Sequence, residues 1–420
     1  MGVLCRDGCC GDWRFCWALP SCHVCAEHAA DAAEPPRGTA NTAGERDTQD
    51  GMTEQTPDTT PDTSDSPALI DALTDVLGLR VGHATLVDDG YLTGTTVVLA
   101  PEGGMTAAVD VRGGGPGTKE TDALDPRNIV QRIDAVVLTG GSAYGLDAAT
   151  GVMAWLEDQR RGVRVGVDPA HVVPVVPAAC VFDLGRGGDF RARPDASTGR
   201  IAVEAAAATG VRAPVAVGCV GAGTGGVVGR LKGGVGTAGV RLPSGVTVAA
   251  LVVANAAGSV VDTTTGALFG EYFEGRVTYP APAVHERAQR LLDDADRMNS
   301  RATGNTASAG LTGTPLNTTL AVVATDADLS RAQAHKLAGT AHDGIARAVR
   351  PVHLLNDGDT VFALASGKHE LPSDNPLALN DILAAGADLV TRAIVRAVRS
   401  AESVDSEGGL YPSYTELYDG

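Results

Sequence analysis

Apolar runs of strand length and amphipathic runs of helix length follow one another along this chain without strict alternation. That order favours a layered α+β fold over a doubly wound parallel sheet. The strongest strand signal is GVTVAALVVANAAGSVVD, residues 245–262. TGTTVVLAPEGG (93–104) and MTAAVDVRGGG (105–115) read as two strands joined by a Gly-rich turn. IDAVVLTGG (133–141) reads as a buried strand. A helix follows over 142–161, entered through Gly-Gly-Ser, with Tyr144, Leu146, Ala149, Met153 and Leu156 near helical spacing. HVVPVVPAACVFDL (171–184) is a strand region made bent or edge-like by Pro174 and Pro177. Helices are expected over the small-residue stretch 199–210 and the charged amphipathic stretch 282–297. Residues 298–317, rich in Ser, Thr, Gly and Asn, read as a flexible linker inside an otherwise structured chain. Beyond it come a strand at 319–324, a helix from Asp328 or Ser330 to Val349, the strand DTVFALASG (359–367) and a closing helix over 380–399. The acidic, Gly-containing tail is expected to be loose, and there is no solenoid-type repeat.

Composition narrows the class of function. The 420 residues are 44% hydrophobic but only 4% aromatic, so the core must be built from Ala, Val, Leu and Ile, and the 53 glycines imply many tight turns and close backbone approaches. A net charge of −18 argues against nucleic acid and against an anionic membrane surface, and favours neutral or cationic substrates. No apolar run approaches the roughly 20 residues that span a bilayer. Six of the eight cysteines lie in the first 25 residues. CHVC (22–25) has no second pair at zinc-finger spacing, and the stretch lacks the basic and apolar regions of a signal peptide. A start at Met52, with a leading gene-model artefact, accounts for it better. Residues 26–66 hold almost no large apolar side chains, so residues 1–66 are expected to be a disordered extension, with the ordered part starting near Pro67. The remaining cysteines, Cys180 and Cys219, read as small core residues of a reduced, cytoplasmic protein.

Several residue groups carry possible chemistry. Of two Asn-Thr steps, Asn305-Thr306 and Asn317-Thr318, only the second leads into a buried apolar strand, which would hold a reacting atom in place. An internal Thr can attack the preceding carbonyl, and water can resolve the resulting ester. The freed Thr318 would then carry a hydroxyl nucleophile and an α-amine whose ordinary pKa of about 7.7–8.0 suits a general base. A plain loop entering a strand is the alternative. Asp357 and Asp359 flank Gly358, a pair suited to orienting an ammonium group, or a simple Asp-Gly turn. Asn255 sits in an apolar strand, where its amide needs partners and could donate to an oxyanion. Arg230 and Lys232 lie among glycines, either facing substrate or in a solvated turn. His335 and His342 share a helix face without any accompanying metal pattern and read as ordinary helix residues. GAGTGGVVG (221–229) lacks the Lys-Ser/Thr of a phosphate loop.

DVRGGGPGTKETDALDP (110–126), LTGGSAYGLDAATGVMAWLE (138–157), VGAGTGG (220–226) and NTTLAVVATDA (317–327), in this order, resemble peptidase family S58 of the N-terminal-nucleophile hydrolases. That family includes the DmpA-type L-aminopeptidase/D-esterases, the β-peptidyl aminopeptidases and the NylC-type nylon-oligomer hydrolases. The resemblance spans about residues 70–400 and implies a four-layer αββα sandwich. It also implies self-cleavage into an α fragment (67–317) and a β fragment (318–420) of one catalytic domain, and homo-oligomers of the cleaved units. It makes Thr318 the nucleophile, Asn317 the residue before the cut, Asn255 the oxyanion support, and Asp357 and Asp359 the carboxylate pair. The family's catalytic Lys aligns with Arg230, but Arg cannot exchange a proton as Lys does, so the role falls to Lys232. Thr after Asn is more like the nylon hydrolases, whereas Arg193 replaces the Tyr those relatives carry. The implied activity is hydrolysis of amide or ester bonds in short peptides, amino-acid amides or aminoalkanoate oligomers, with no metal or organic cofactor. An acyltransferase of the ornithine-acetyltransferase type and an uncut binding protein are the alternatives.

Overall fold

The computed structural model describes residues 68–302, 316–375 and 377–419. The expected N-terminal extension, its Cys cluster and most of the expected linker lie outside the described residues. Along the chain come strands β1 (Arg80–Asp88), β2 (Tyr91–Leu99), β3 (Thr106–Val111), β4 (Thr118–Lys119) and β5 (Ala135–Thr139). Helix α1 (Ala148–Asp158), strand β6 (Ala178–Cys180), helix α2 (Ala196–Ala208) and strands β7 (Gly234–Arg241) and β8 (Thr247–Ala254) follow. Helix α3 (Pro282–Ala302), strand β9 (Leu320–Ala327), helix α4 (Arg331–Ala348), strand β10 (Thr360–His369) and helix α5 (Leu379–Arg399) complete the larger elements.

The strands form two five-stranded sheets, ordered β1-β2-β5-β6-β4 and β7-β8-β9-β10-β3. Among the strands of the described residues only β5/β6 and β9/β10 pair in parallel, which is why the strand and helix signals do not alternate regularly. The period of two along each strand divides its side chains between neighbouring layers. Ala249, Leu251 and Val253 of β8 join Leu320, Val322, Phe362 and Leu364 in a core shared with Val98, Val136 and Leu138 of the other sheet. The alternate residues, Val248, Ala250, Val252, Ala321, Val323 and Val361, face α4 and α5. Val97, Leu99, Ala135 and Val137 face α1 and α2. Three apolar seams between four layers give the αββα sandwich. Such strands are apolar on both faces because both faces are covered.

A core poor in aromatics needs close backbone approach. A Cβ on Gly236 of β7 would stand 1.9 Å from the carbonyl oxygen of Ala393 in α5. Glycine therefore lets helix and sheet meet without side chains between them. The same glycines dilute the strand signal of GVGTAGVR, so the sequence alone reads as a turn here.

Other expectations need correction. The helix read over 142–161 is a short turn at Ser142–Gly145 followed by α1, with Leu146 and Asp147 between them. The tail expected to be loose forms a hairpin, Val404–Ser406 with Gly409–Tyr411, and a helical turn, Tyr414–Tyr418. Tyr414 is fully buried and stacks on Tyr418 at 4.7 Å, anchoring the turn. Helix α4 starts as expected, the Ser330 hydroxyl accepting from Gln333 N–H to cap it. No helix among the described residues is long and apolar enough to cross a membrane.

Candidate active site

The lead-in to β9 is clamped between the end of β8 and the start of β10. Asn317 N–H donates to Asn356 O (3.0 Å), and Gly358 N–H donates to Asn317 O (3.1 Å). Thr318 N–H donates to Asn255 O (2.6 Å), and Thr360 N–H donates to Thr319 O (3.1 Å). The Asn317–Thr318 step is therefore extended and fixed on both sides. Thr318 and Asn317 are each only 4% exposed. The Thr318 hydroxyl donates to the carbonyl oxygen of Asn317. Hydroxyl and Asn317 carbonyl are thus in contact, and the Gly358 N–H donates to the same oxygen.

Asn255 follows directly on β8 and is fully buried. Its Oδ1 accepts from Val227 N–H (3.0 Å) and from Arg186, and its Nδ2 donates to Phe182 O (3.2 Å). One N–H of the amide is thereby committed to Phe182, and the backbone carbonyl is what holds Thr318. Arg186 also donates to Gly225 O (2.5 Å) and to Asn317 Oδ1 (3.4 Å), so one guanidinium ties together both asparagines. Desolvation pulls its pKa below the usual guanidinium range. Asp183, facing Arg186, accepts from Thr93 Oγ1 and from Gly141 N–H, both at 2.6 Å, and burial pushes its carboxyl up.

The two cations of GRLKGG separate. Arg230 turns outward to Asp293 (2.5 Å) and Asp296 (2.7 Å) on α3. Lys232 turns inward, wholly buried, and its Nζ donates to Gly226 O (2.9 Å), Gly233 O (2.9 Å) and Gly223 O (3.3 Å). Burial draws its pKa from 10.5 to about 8. The glycine loop 221–229 thus presents carbonyls to an ammonium. A phosphate cradle would present N–H groups instead. Lys232 is linked to Thr318 through Gly226–Val227 and Asn255.

Both carboxylates lie beside the clamp, Asp357 and Asp359 each 1% exposed. Asp357 accepts from Ala257 N–H (3.0 Å) and Leu354 N–H (3.3 Å), and burial with the neighbouring Asp359 charge raises its pKa. Asp359 accepts from Thr319 N–H (2.6 Å) on one oxygen and from His353 on the other. The stretch 113–117 is laid across this turn. Gly115 N–H donates to Asp357 O (2.7 Å), and a Cβ on Gly113 would stand 2.3 Å from Asp359 N. A Cβ on Gly358 would stand 2.7 Å from Thr318 Oγ1. Beside Asn317 lies a cavity of about 230 Å³, lined in part by Phe182, Leu184, Arg186, Val227, Leu316 and Tyr411. A larger cavity, about 700 Å³, lies against α5 and includes none of the site residues.

Sequence reading missed Arg186, Asp183 and His353, each isolated in the sequence and brought in by a loop. It also read His342 as an ordinary helix residue. His342 is fully buried, its Nε2–H donating to Asp110 O (3.0 Å), while His335 is exposed. Cys180 is buried as expected, but Cys219 is only partly so because it lies on the segment leading into β7, its Sγ accepting from Glu402 N–H (3.4 Å). Arg193, marked as a departure, stacks over the Tyr144 ring at 3.7 Å.

The sequence profile of Peptidase family S58 matches residues 71–410. A Mycobacterium tuberculosis protein named as an uncharacterized aminopeptidase is 45% identical over 366 residues, covering 84% of this chain and 99% of that one. A 6-aminohexanoate-oligomer endohydrolase of Kocuria sp. is 29% identical over 300 residues, covering 71% of this chain and 76% of that one. Among solved structures, a Burkholderia sp. beta-aminopeptidase aligns with a TM-score of 0.60 at 24% identity, over 84% of this chain and 93% of that one. The L-aminopeptidase D-Ala-esterase/amidase of Ochrobactrum anthropi, described as a variant of the Ntn hydrolase fold, aligns with a TM-score of 0.59 at 21% identity, over 82% and 91%. The chain belongs to peptidase family S58 and is a hydrolase acting on amide bonds.

Proposed function

We propose that this S58-family chain cuts itself between Asn317 and Thr318 and then works as an N-terminal-threonine hydrolase. The observation that carries the reading is the contact between the Thr318 hydroxyl and the Asn317 carbonyl, with Gly358 N–H on the same oxygen and Thr318 N–H fixed on Asn255. Attack of Oγ1 on that carbonyl carbon moves the acyl group from nitrogen to oxygen. Water then cleaves the ester, leaving a carboxylate on Asn317 and a free Thr318 amine. In turnover the amine takes the hydroxyl proton, and the hydroxyl attacks a substrate carbonyl to give an acyl-enzyme that water resolves. Asn255, through the N–H of its amide not committed to Phe182, and neighbouring backbone N–H groups stabilise the oxyanion. Asp357 and Asp359 orient the Thr318 ammonium, and Lys232 supplies a buried, proton-exchanging amine.

Substrates are short peptides, amino-acid amides or esters, or aminoalkanoate oligomers, in keeping with the names of the relatives. Residues 67–420 act as one catalytic domain in a homo-oligomer of cleaved units in the cytoplasm. Intact-mass analysis and N-terminal sequencing of purified protein test the reading. Two fragments, one beginning TTLAVV, are expected, and Thr318→Ala should leave one uncut and inactive chain. A wild-type chain that stays intact near 42.7 kDa supports the binding-protein alternative and overturns self-processing. Acyl groups passed to an amine in preference to water would make it an acyltransferase.

A further inference from the structure

His353 lies on the loop before β10, four residues ahead of Asp357, with φ at +55°, a left-handed conformation rare for a non-glycine residue. That backbone sends two donors from one residue to one carboxylate oxygen. His353 N–H stands 3.2 Å and His353 Nδ1 2.7 Å from Asp359 Oδ2. The opposite oxygen, Oδ1, takes the Thr319 N–H at 2.6 Å. Asp359 thus bridges the imidazole and the backbone of the residue that follows Thr318. To donate to a carboxylate, Nδ1 must carry the proton, so the neutral ring is the Nδ1–H tautomer. Its Nε2 is buried without a hydrogen-bond partner among the described residues, and the ring packs edge-on against His342 at 4.9 Å. His342 is itself fixed on Asp110 of β3. The imidazole is therefore wedged between a core helix and the carboxylate.

We infer that His353 is a positioning residue for the reaction of Thr318: through Asp359 it sets where the Thr319 amide, and with it the Thr318 hydroxyl, is held against the scissile carbonyl. Among the described residues Asp357 has no comparable prop, its carboxylate accepting there only from the backbone N–H groups of Ala257 and Leu354. The two carboxylates are unequal by construction. Only one is braced by a side chain that does not itself touch the reacting atoms.

The inference rests on Thr318 as nucleophile, and the test separates the two. In the full chain, the appearance rate of the fragment beginning at Thr318 is followed for wild type, His353→Ala, His353→Asn, Asp359→Asn and the double variant His353→Ala/Asp359→Asn. His353→Ala should slow cleavage about 10–100-fold, the scale typical of residues that orient a functional group from behind. His353→Asn, which keeps a nitrogen donor near the Nδ1 position, should recover most of the rate. The double variant should be no slower than Asp359→Asn alone. In the mature enzyme the loss should fall on kcat with KM little changed. Equal losses in His353→Ala and His353→Asn, or losses that multiply in the double variant, overturn the proposal. A readout independent of cleavage is the ring 15N signature of His353 in the uncut Thr318→Ala chain. The Nδ1–H tautomer should be present there and lost when Asp359→Asn is added, whereas an Nε2–H tautomer overturns the proposal even if self-cleavage stands. An uncut wild type with the Nδ1–H tautomer would instead refute the Thr318 reading and leave the brace intact.

Discussion

Replacing Lys232 with methionine should change how stability depends on pH, in a direction fixed by where the ammonium sits. Its three protons meet three backbone carbonyls, yet burial still outweighs those bonds and draws its pKa from 10.5 to about 8. The unfolded chain therefore binds the proton more tightly than the folded one. Below pH 8 both forms are charged and the folded state carries the full penalty, on the order of 3 kcal/mol for a displacement of this size. Between about 8 and 10.5 the folded lysine is neutral while the unfolded one is charged, so stability rises with pH and the penalty is gone above the upper value. The Lys232→Met chain loses the three bonds at every pH and has no such slope. The assay is a thermal or urea melt of Thr318→Ala and Thr318→Ala/Lys232→Met across this range, both as single covalent chains, with the difference between them plotted against pH. The lysine chain should gain on the methionine chain by about 3 kcal/mol, several degrees in Tm, over the window. A difference flat across the window, or one that moves the other way, would refute the reasoning. The same displacement leaves roughly a tenth of Lys232 neutral near pH 7, which a proton-exchanging role requires.

Two further outcomes follow from the clamp. Gly358→Ala places a methyl 2.7 Å from Thr318 Oγ1 and 2.9 Å from Gly115 O, both closer than real contacts allow, so the hydroxyl must shift. Self-cleavage measured by gel densitometry should slow by about 100-fold, as small misplacements of a reacting group do. Arg186→Lys removes the fork that joins Gly225, Asn255 and Asn317, since an ammonium cannot span all three. It should slow cleavage at least about tenfold while retaining the fold by circular dichroism, and an unchanged rate would mean the bridge is idle.

The layering and most residues of the candidate site were legible because they depend on patterns that are local in sequence. Runs such as VAALVVA and LAVVA announce strands covered on both faces, and Asn317-Thr318 stands out because one of them follows directly. What escaped depends on pairings that only the folded chain makes. β7 was hidden because Gly236 and Gly239, needed for close contact with its neighbours, erase the β-branched signal of a strand. Lys232 and Arg230 look alike in GRLKGG, and only the acidic face of α3 draws one outward while the glycine carbonyls receive the other. Arg186 and His353 carry no motif. Their roles come from partners 131 and 6 positions away, and the second is visible only once the loop folds His353 back onto Asp359. The tail was misjudged because its acidic composition masks Tyr414 and Tyr418, whose buried rings offset the cost of ordering it.

Strand β9 occupies the middle of its sheet, with β8 bonded along one edge and β10 along the other. A break after Asn317 would divide that sheet between two polypeptides, one holding β3, β7 and β8, the other β9 and β10 with both covering helices. Neither piece could then shield its own apolar surface. Each would be the other's missing half, joined by ladders and seams that scission does not touch. Once melted apart, the halves would have to find each other as separate molecules.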